Sequence, residues 1–166
     1  MSGDVVYAGQ LGSAAGSPGA WQAAFGSEID SLAAGDYELS SLIIDPTSGN
    51  TPNLMLEMTV SVALGALIMS AASPALDFYL QPLNQDGTTY GDGTASGTVL
   101  PSPSAYFGSL TWQTTSTSAT ATLSVKFERE VPATKFKLGV VNNLGNALAS
   151  SGNTIQIALN TVNLNG

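Results

Sequence analysis

Few residues in this 166-residue sequence are of the types that carry out acid–base, nucleophilic or metal chemistry. Cysteine and histidine are both absent, which excludes Cys/His zinc sites, haem ligation through either residue and nucleophiles that depend on them. Paired carboxylates can hydrolyse a glycosidic bond without histidine, but nothing marks any two as opposed across a cleft. A P-loop, a GxGxxG turn and the aspartic-protease Asp-Thr-Gly are also missing. The sequence therefore predicts a protein that is not an enzyme, with no cofactor and no small-molecule substrate.

The basic residues all fall within one short stretch of the chain. They are Lys126, Arg129, Lys135 and Lys137. The pattern predicts that they lie on two strands joined by the turn at 131–134 and therefore cluster in space. One interpretation is cross-strand pairing with Glu128 and Glu130 on the solvent face. The other is a basic spot, on a protein of net charge −8, that docks an acidic patch of another subunit.

The charge balance and the apolar segments bear on two further classes of partner. A net charge of −8 repels phosphate, so nucleic acid is not an expected partner. The most apolar window, residues 60–72, is shorter than the roughly 20 residues of a membrane-spanning helix and continues an alternating pattern. No membrane association is therefore predicted.

Two sets of residues suggest ligand binding more weakly. Asp86 and Asp92 lie in a glycine-rich loop, but the six to eight oxygen ligands that Ca²⁺ needs are not evident, and Asp-Gly is a common turn pair, so no metal site is predicted. Aromatic side chains on a sandwich surface can stack on sugars, although in sandwiches most aromatic residues pack in the core or on a sheet. The aromatic candidates are Trp21, Tyr79, Tyr90, Tyr106 and Trp112.

Alternation of apolar and polar residues is the strongest structural pattern in the chain. Apolar residues recur at every second position in 54–64, 76–80, 123–127, 136–140 and 155–159, which predicts five strands. Segments 37–45 and 106–114 are predicted as two more. Turn-forming residues separate them. Short strands without helical segments between them predict an all-β fold, a β-sandwich of jelly-roll type.

The beginning of the chain differs from the rest. Residues 1–20 are mostly Gly, Ala and Ser and are predicted to form an extended N-terminal arm, followed by the sandwich domain at 21–166. Such an arm is either a mobile tail or a segment that orders on a neighbouring subunit. The spacing of Trp21, Phe25, Ile29 and Leu32 fits one face of a helix, and an irregular first strand fits equally well.

Several segments resemble structural proteins of tailed bacteriophages. Residues 75–93 contain a strand, a proline and a D-G-T-x-Y-x-D-G loop, and residues 132–138 match a P-x-x-x-F-K-x strand. Residues 142–154 resemble an N-x-x-G-x-A-L-A-x-S-G-N-T hairpin of the same proteins, and residues 26–32 match more weakly. These motifs specify a fold rather than a chemical reaction.

The resemblance implies a capsid decoration (cement) protein. Such a protein is made in the host cytoplasm and sits on the virion surface, where it is expected to form a homotrimer bound to the major capsid protein. We expect the arm to make the capsid contact, through Val5, Val6, Tyr7, Leu11 and Trp21. The alternative is a head-fibre or tail component with a carbohydrate-binding sandwich.

Overall fold

The computed structural model describes residues 5–11, 22–45, 54–62, 73–84, 96–98, 100–111, 121–123, 129–130 and 134–164. Most of these residues belong to strands. In chain order the strands are β1 (Val5–Leu11), β2 (Gln22–Phe25), β3 (Tyr37–Leu39), β4 (Leu54–Val62), β5 (Ala75–Pro82), β6 (Ser96–Gly97), β7 (Tyr106–Thr111), β8 (Ala121–Leu123), β9 (Arg129–Glu130), β10 (Phe136–Asn143) and β11 (Thr154–Leu164). Two short 3-10 turns, Ser27–Ile29 and Pro103–Ala105, complete the described elements.

The strands form two antiparallel sheets, which confirms the predicted all-β fold. In the six-stranded sheet A the order is β1, β11, β4, β8, with β2 also pairing with β11 and β9 also pairing with β4. The five-stranded sheet B has the order β6, β3, β10, β5, β7. The chain passes repeatedly from one sheet to the other, for example from β4 to β5 and from β10 to β11. No helix in the described part of the chain is long and apolar enough to cross a membrane.

The two sheets share one hydrophobic core. Sheet A contributes Met58 and Val60 from β4 and Ile155 and Ile157 from β11, all at most 2% exposed. Sheet B supplies alternate residues of its two central strands: Leu76, Phe78, Leu80, Phe136, Leu138 and Val140. Each large apolar side chain buried in this way contributes roughly 1.5–3 kcal/mol. These burials confirm the alternation in the predicted strands 54–64, 76–80, 136–140 and 155–159, as far as their residues are described. Residues 124–127 of the remaining predicted strand lie outside the described residues.

The segment whose apolar spacing fitted both a helix and an irregular first strand contains a strand. Its described part, residues 22–33, contains no α-helix. Strand β2 ends at Phe25, and a single 3-10 turn follows at Ser27–Ile29. Phe25, Ile29 and Leu32 are nevertheless buried in the shared core. Their helix-like spacing arises because a strand followed by a tight turn brings all three side chains to the same side. Residues 14–21 lie outside the described residues.

Part of the predicted arm belongs to sheet A. Strand β1 pairs with β11 of the same chain, from Val5 opposite Leu164 to Leu11 opposite Leu159, with a register shift between Tyr7 and Gln10. Since β2 pairs with the earlier part of β11, from Ile155 to Ile157, the two strands share one side of β11. Binding of this segment to another subunit stays a prediction.

Strand β3 is shorter than the predicted strand 37–45. It ends at Leu39 because Ser40 alters the pairing with β10: its backbone N–H donates to the Leu138 carbonyl at 2.8 Å, and its hydroxyl accepts from the Leu138 N–H at 3.3 Å. Pairing resumes as an isolated bridge between Ile44 and Phe136. Ser40 and Ile44 are four residues apart, whereas their partners Leu138 and Phe136 are two apart, so the segment between them leaves the ladder.

Segment 142–154 does not form the predicted hairpin, because β10 lies in sheet B and β11 in sheet A. The segment crosses between the sheets and binds the loop that follows β2. Asn142, which is fully buried, donates through Nδ2 to the carbonyls of Leu32 and Asn146, both at 2.8 Å, and accepts from the Leu144 N–H at 3.0 Å. These bonds satisfy polar groups that would otherwise be buried without partners.

The outer face of sheet B carries a second, smaller apolar cluster. Tyr37, Leu39 and Val141 are each at most 7% exposed, and Tyr79 packs against them. Gly139 lies opposite Leu39 in the register, on the predicted solvent face, and is buried. A Cβ atom at Gly139 would collide with the Tyr37 ring, which lies diagonally across from it. Strand β10 is therefore buried on both faces at this point.

The Gly139→Ala substitution is expected to lower the free energy of unfolding by about 2–3 kcal/mol, because the Tyr37 ring has to move to admit a methyl group. In a Tyr37→Leu background the same substitution is expected to cost under about 1 kcal/mol. Urea unfolding of the four proteins in this cycle measures both values. Equal costs in the two backgrounds would contradict the collision.

Candidate functional site

A partly exposed group of aromatic and polar side chains lies next to this cluster, towards the β7 edge of sheet B. We call it the tyrosine patch and define it as Asp77, Tyr79, Tyr106, Ser109 and Asn143. Asp77 and Tyr79 alternate along β5, and the register sets Asp77 opposite Ser109 and Tyr79 opposite Tyr106. The patch therefore consists of residues that neighbouring strands bring together from distant parts of the sequence.

An irregularity in β7 brings Tyr106 and Ser109 to the same face. Residues three apart on a regular strand point to opposite faces. The pairing of β7 with β5 shifts register between Phe78 and Tyr79, so Gly108 pairs with Phe78 while Tyr106 pairs with Tyr79. Phe107, at the shift, is buried in the shared core. A bulge of this kind redirects one side chain relative to its neighbours.

Three tyrosine rings form a row that runs from buried to exposed. The centroids of Tyr37 and Tyr79 are 6.3 Å apart with the planes at 88°, and those of Tyr79 and Tyr106 are 5.6 Å apart at 73°. Both are edge-to-face contacts, which are favourable for aromatic pairs. Tyr37 is 1% exposed and Tyr106 is 48% exposed. The buried end of the row thus supports a ring that remains open to solvent.

A chain of hydrogen bonds fixes the polar side chains of the patch. Asn143 Nδ2 donates to Asp77 Oδ2 at 2.6 Å, and the Ser109 hydroxyl donates to Asp77 Oδ1. The Tyr106 hydroxyl lies 2.5 Å from Ser109 Oγ. A serine hydroxyl has one proton, and here it is given to Asp77, so Tyr106 must be the donor to Ser109. The Asp77 carboxylate therefore orients Tyr106 through Ser109.

The surroundings of Tyr79 keep its phenol group protonated. Burial raises the pKa of Tyr79 above its ordinary value of 10.0, and the nearby Asp77 carboxylate and Tyr106 raise the pKa further. The carboxylate can accept more than the two hydrogen bonds that it receives from Asn143 and Ser109, and the Tyr106 oxygen keeps lone pairs. The patch thus combines an oriented ring with hydrogen-bond acceptors beside it.

The residues predicted to contact a capsid fall mainly on one edge strand. Val5, Val6, Tyr7 and Leu11 belong to β1, which is at the end of the order of sheet A. Trp21 lies outside the described residues. Among the described strands β1 pairs with β11, so its other edge offers backbone N–H and C=O groups to a further strand.

The described cations do not lie on two strands joined as a hairpin. Arg129 is in β9 of sheet A, whereas Lys137 is in β10 of sheet B and Lys135 directly precedes that strand. Lys135 Nζ is 3.1 Å from Asp45 Oδ2 of the same chain, an ion pair of half-exposed groups that contributes about 0–1 kcal/mol. Lys126 lies outside the described residues. Docking by these residues stays a prediction.

Of the aromatic candidates for sugar stacking, the structure brings Tyr79 and Tyr106 together. Trp21, Tyr90 and Trp112 lie outside the described residues, as do Asp86 and Asp92. Within the described ranges no group of three or more acidic side chains could hold a metal ion.

The polar members of the patch were missed by reasoning from sequence, although a signal existed. Asp is depleted in strands, so Asp77 inside the predicted strand 76–80 marked a position with a special requirement. Asn143 lay beyond the predicted strand 136–140 and gave no such signal. Ser109 carried no comparable signal. Comparison with protein-family models, with curated proteins and with solved structures finds no match, so no family assignment follows from similarity.

Proposed function

We propose that this chain is a capsid decoration protein that binds the outside of an assembled phage head and stabilises it through contacts with the major capsid protein. The proposal starts from the resemblance of four separate segments to phage structural proteins. The observation that carries it is the spatial arrangement of these segments. The described parts of these segments bond to one another directly, as parts of one structural unit do.

The resembling segments are in contact with one another. Segment 26–32 bonds to segment 142–154 through Ser31 N–H to the Ala149 carbonyl at 2.9 Å and Leu148 N–H to the Leu32 carbonyl at 3.0 Å. Asn153 Nδ2 also donates to Asp30 Oδ1 at 2.7 Å. Strand β5, from the first motif, pairs along its whole length with β10, which begins in the second. The contacts support a shared structural unit as the origin of the resemblance.

We also propose that the two sheets form a jelly roll with an N-terminal arm. The supporting observation is the strand order. In sheet A, β1 and β2 share one edge position and β8 and β9 share the other, so this sheet has four strand positions. The four positions of sheet B are β3, β10, β5 and β7. The chain visits these positions in the order of two interlocked Greek keys, with β6 added outside β3. Among the described strands β1 pairs on one edge alone, with β11, and this supports its assignment as the arm.

The proposed mechanism is linkage between binding and shell stability. A protein that binds the assembled shell, and not its free subunits, stabilises the shell by its binding free energy at every occupied site. We assign the contact to the arm residues Val5, Val6, Tyr7 and Leu11 and to Trp21, which directly follows the arm. We also propose a homotrimer placed where shell subunits meet. A net charge of −8 would keep decorated particles apart in solution.

Binding to purified heads tests the proposal. Undecorated heads from the source of this chain are mixed with the purified protein, pelleted by centrifugation and then heated. We expect the protein to pellet with the heads to saturation, and the temperature at which heads release DNA to rise as occupancy increases. Protein that stays in the supernatant at micromolar concentrations of binding sites would contradict a decoration role. Free capsid subunits serve as the control and should bind far less.

A further inference from the structure

We propose that the tyrosine patch binds a neutral sugar, with a hexose ring stacked on Tyr106 and its hydroxyl groups bonded to Asp77 and Asn143. The proposal goes beyond the decoration role and does not depend on it. It rests on the exposure and support of one ring, the polar groups beside that ring and the charge of the patch.

Tyr106 is held in a fixed position although its side chain is exposed. Tyr106 is 48% exposed, so burial alone does not hold it. Its ring contacts Tyr79 edge to face, and its hydroxyl is tied through Ser109 to Asp77. A ring held in this way loses little conformational entropy when a ligand covers it, and preorganisation of this kind increases affinity. A tyrosine that served only to cover the sheet would not need a three-residue chain of hydrogen bonds.

Polar atoms of Asp77 and Asn143 lie in the patch with the Tyr106 ring. A sugar presents apolar C–H groups on the face of its ring and hydroxyl groups around the rim. The Asp77 carboxylate can accept from hydroxyl groups, and the Asn143 amide has a second N–H to donate and a carbonyl oxygen to accept. Asp77 is only partly buried and is oriented by two bonds to its own carboxylate oxygens. These are the partners that adjacent hydroxyl groups require.

The charge of the patch and the arrangement of its tyrosine rings favour a neutral sugar over an acidic sugar or a cation. The carboxylate of Asp77 and the protein's net charge of −8 disfavour sialylated and sulfated sugars. A quaternary ammonium group would favour a cage of several rings around one point. Here the contacts between neighbouring rings are edge to face, in a row, and the ring at the open end is Tyr106. One open ring flanked by a carboxylate and an amide fits a neutral hexose better than a cation.

An array of neutral hexose and N-acetylhexosamine oligosaccharides, printed beside sialylated and sulfated ones, tests the proposal with the full chain. We expect binding to a subset of the neutral oligosaccharides. The best of them is then titrated against Tyr106→Ala, Asp77→Asn and Ile43→Ala. Ile43 is the matched control because it is also exposed, at 42%. It directly precedes Ile44, which pairs with Phe136 of β10 on the side away from β5 and β7. We expect affinity to fall about tenfold in Tyr106→Ala and to stay unchanged in Ile43→Ala.

Two further measurements keep the result independent of folding. Tyr106→Phe retains the ring and removes the hydroxyl bond, so its affinity should lie between those of the wild type and Tyr106→Ala. In NMR titrations of the wild type, the amide signals of β5 and β7 should shift before those of sheet A. The proposal is overturned by a blank array, by preference for acidic sugars, by binding that survives Tyr106→Ala, or by shifts confined to other strands. A blank array from a protein that still pellets with heads would leave the decoration role standing.

Discussion

Removal of residues 1–20 is expected to abolish binding to assembled heads, by a hundredfold or more, and to leave the two sheets folded. The fold should survive because β1 pairs with the later part of β11, while β2 and β4 hold the rest of that strand. The pairing of β10 with β5 in sheet B does not involve β1. Binding should be lost because the deletion removes the open edge strand to which we assign the capsid contact.

A shorter deletion provides the matched control. Removal of residues 1–4 leaves β1 intact from Val5 to Leu11 and should retain binding to heads. Co-sedimentation measures attachment, and circular dichroism with urea unfolding measures the fold of both truncated proteins. A folded protein without residues 1–20 that still binds heads with undiminished affinity would move the capsid contact elsewhere on the surface.

The Asn142→Ala substitution is expected to lower the free energy of unfolding by about 3–5 kcal/mol, a large part of the stability of an ordinary domain. Asn142 is fully buried and bonds to the carbonyls of Leu32 and Asn146 and to the N–H of Leu144. Alanine would leave all three groups without this partner, and water would not replace it for the groups that are buried. The loops that join β2 to β3 and β10 to β11 would lose the side chain that links them.

The neighbouring asparagine is a suitable control. Asn143 is half-buried on the opposite face of β10, and its side chain makes one described hydrogen bond, to Asp77. Asn143→Ala is therefore expected to lower the free energy of unfolding by about 1 kcal/mol. Urea unfolding of both variants gives the comparison. Similar costs for the two substitutions would contradict the role of Asn142 as the joint between the loops.

The shared core was predictable because alternation along a strand records which face is apolar. Met58, Val60, Ile155 and Ile157 occupy alternate positions, and all are buried. The same pattern could not reveal that β10 is buried on both faces. Gly139 has no side chain that could signal burial, and the ring covering it belongs to Tyr37, about a hundred residues earlier in the chain.

Sequence reasoning about the sites was limited by sheet assignment. Arg129 and Lys137 are close in sequence but lie in different sheets, because the chain crosses between sheets after β9. Asp77 and Ser109 are far apart in sequence but lie opposite one another in the register of β5 and β7. Local patterns specify strands and faces, whereas pairing partners depend on the whole topology. The tyrosine patch could therefore be recognised only from the structure.

An electron cryomicroscopy map of purified particles from the source of this chain tests the decoration role most directly. We expect density that fits the two-sheet fold on the outside of the head, as threefold knobs across the shell lattice, with the segment before β2 running between shell subunits. Density confined to the tail or to fibres, or particles that lack the protein altogether, would contradict it.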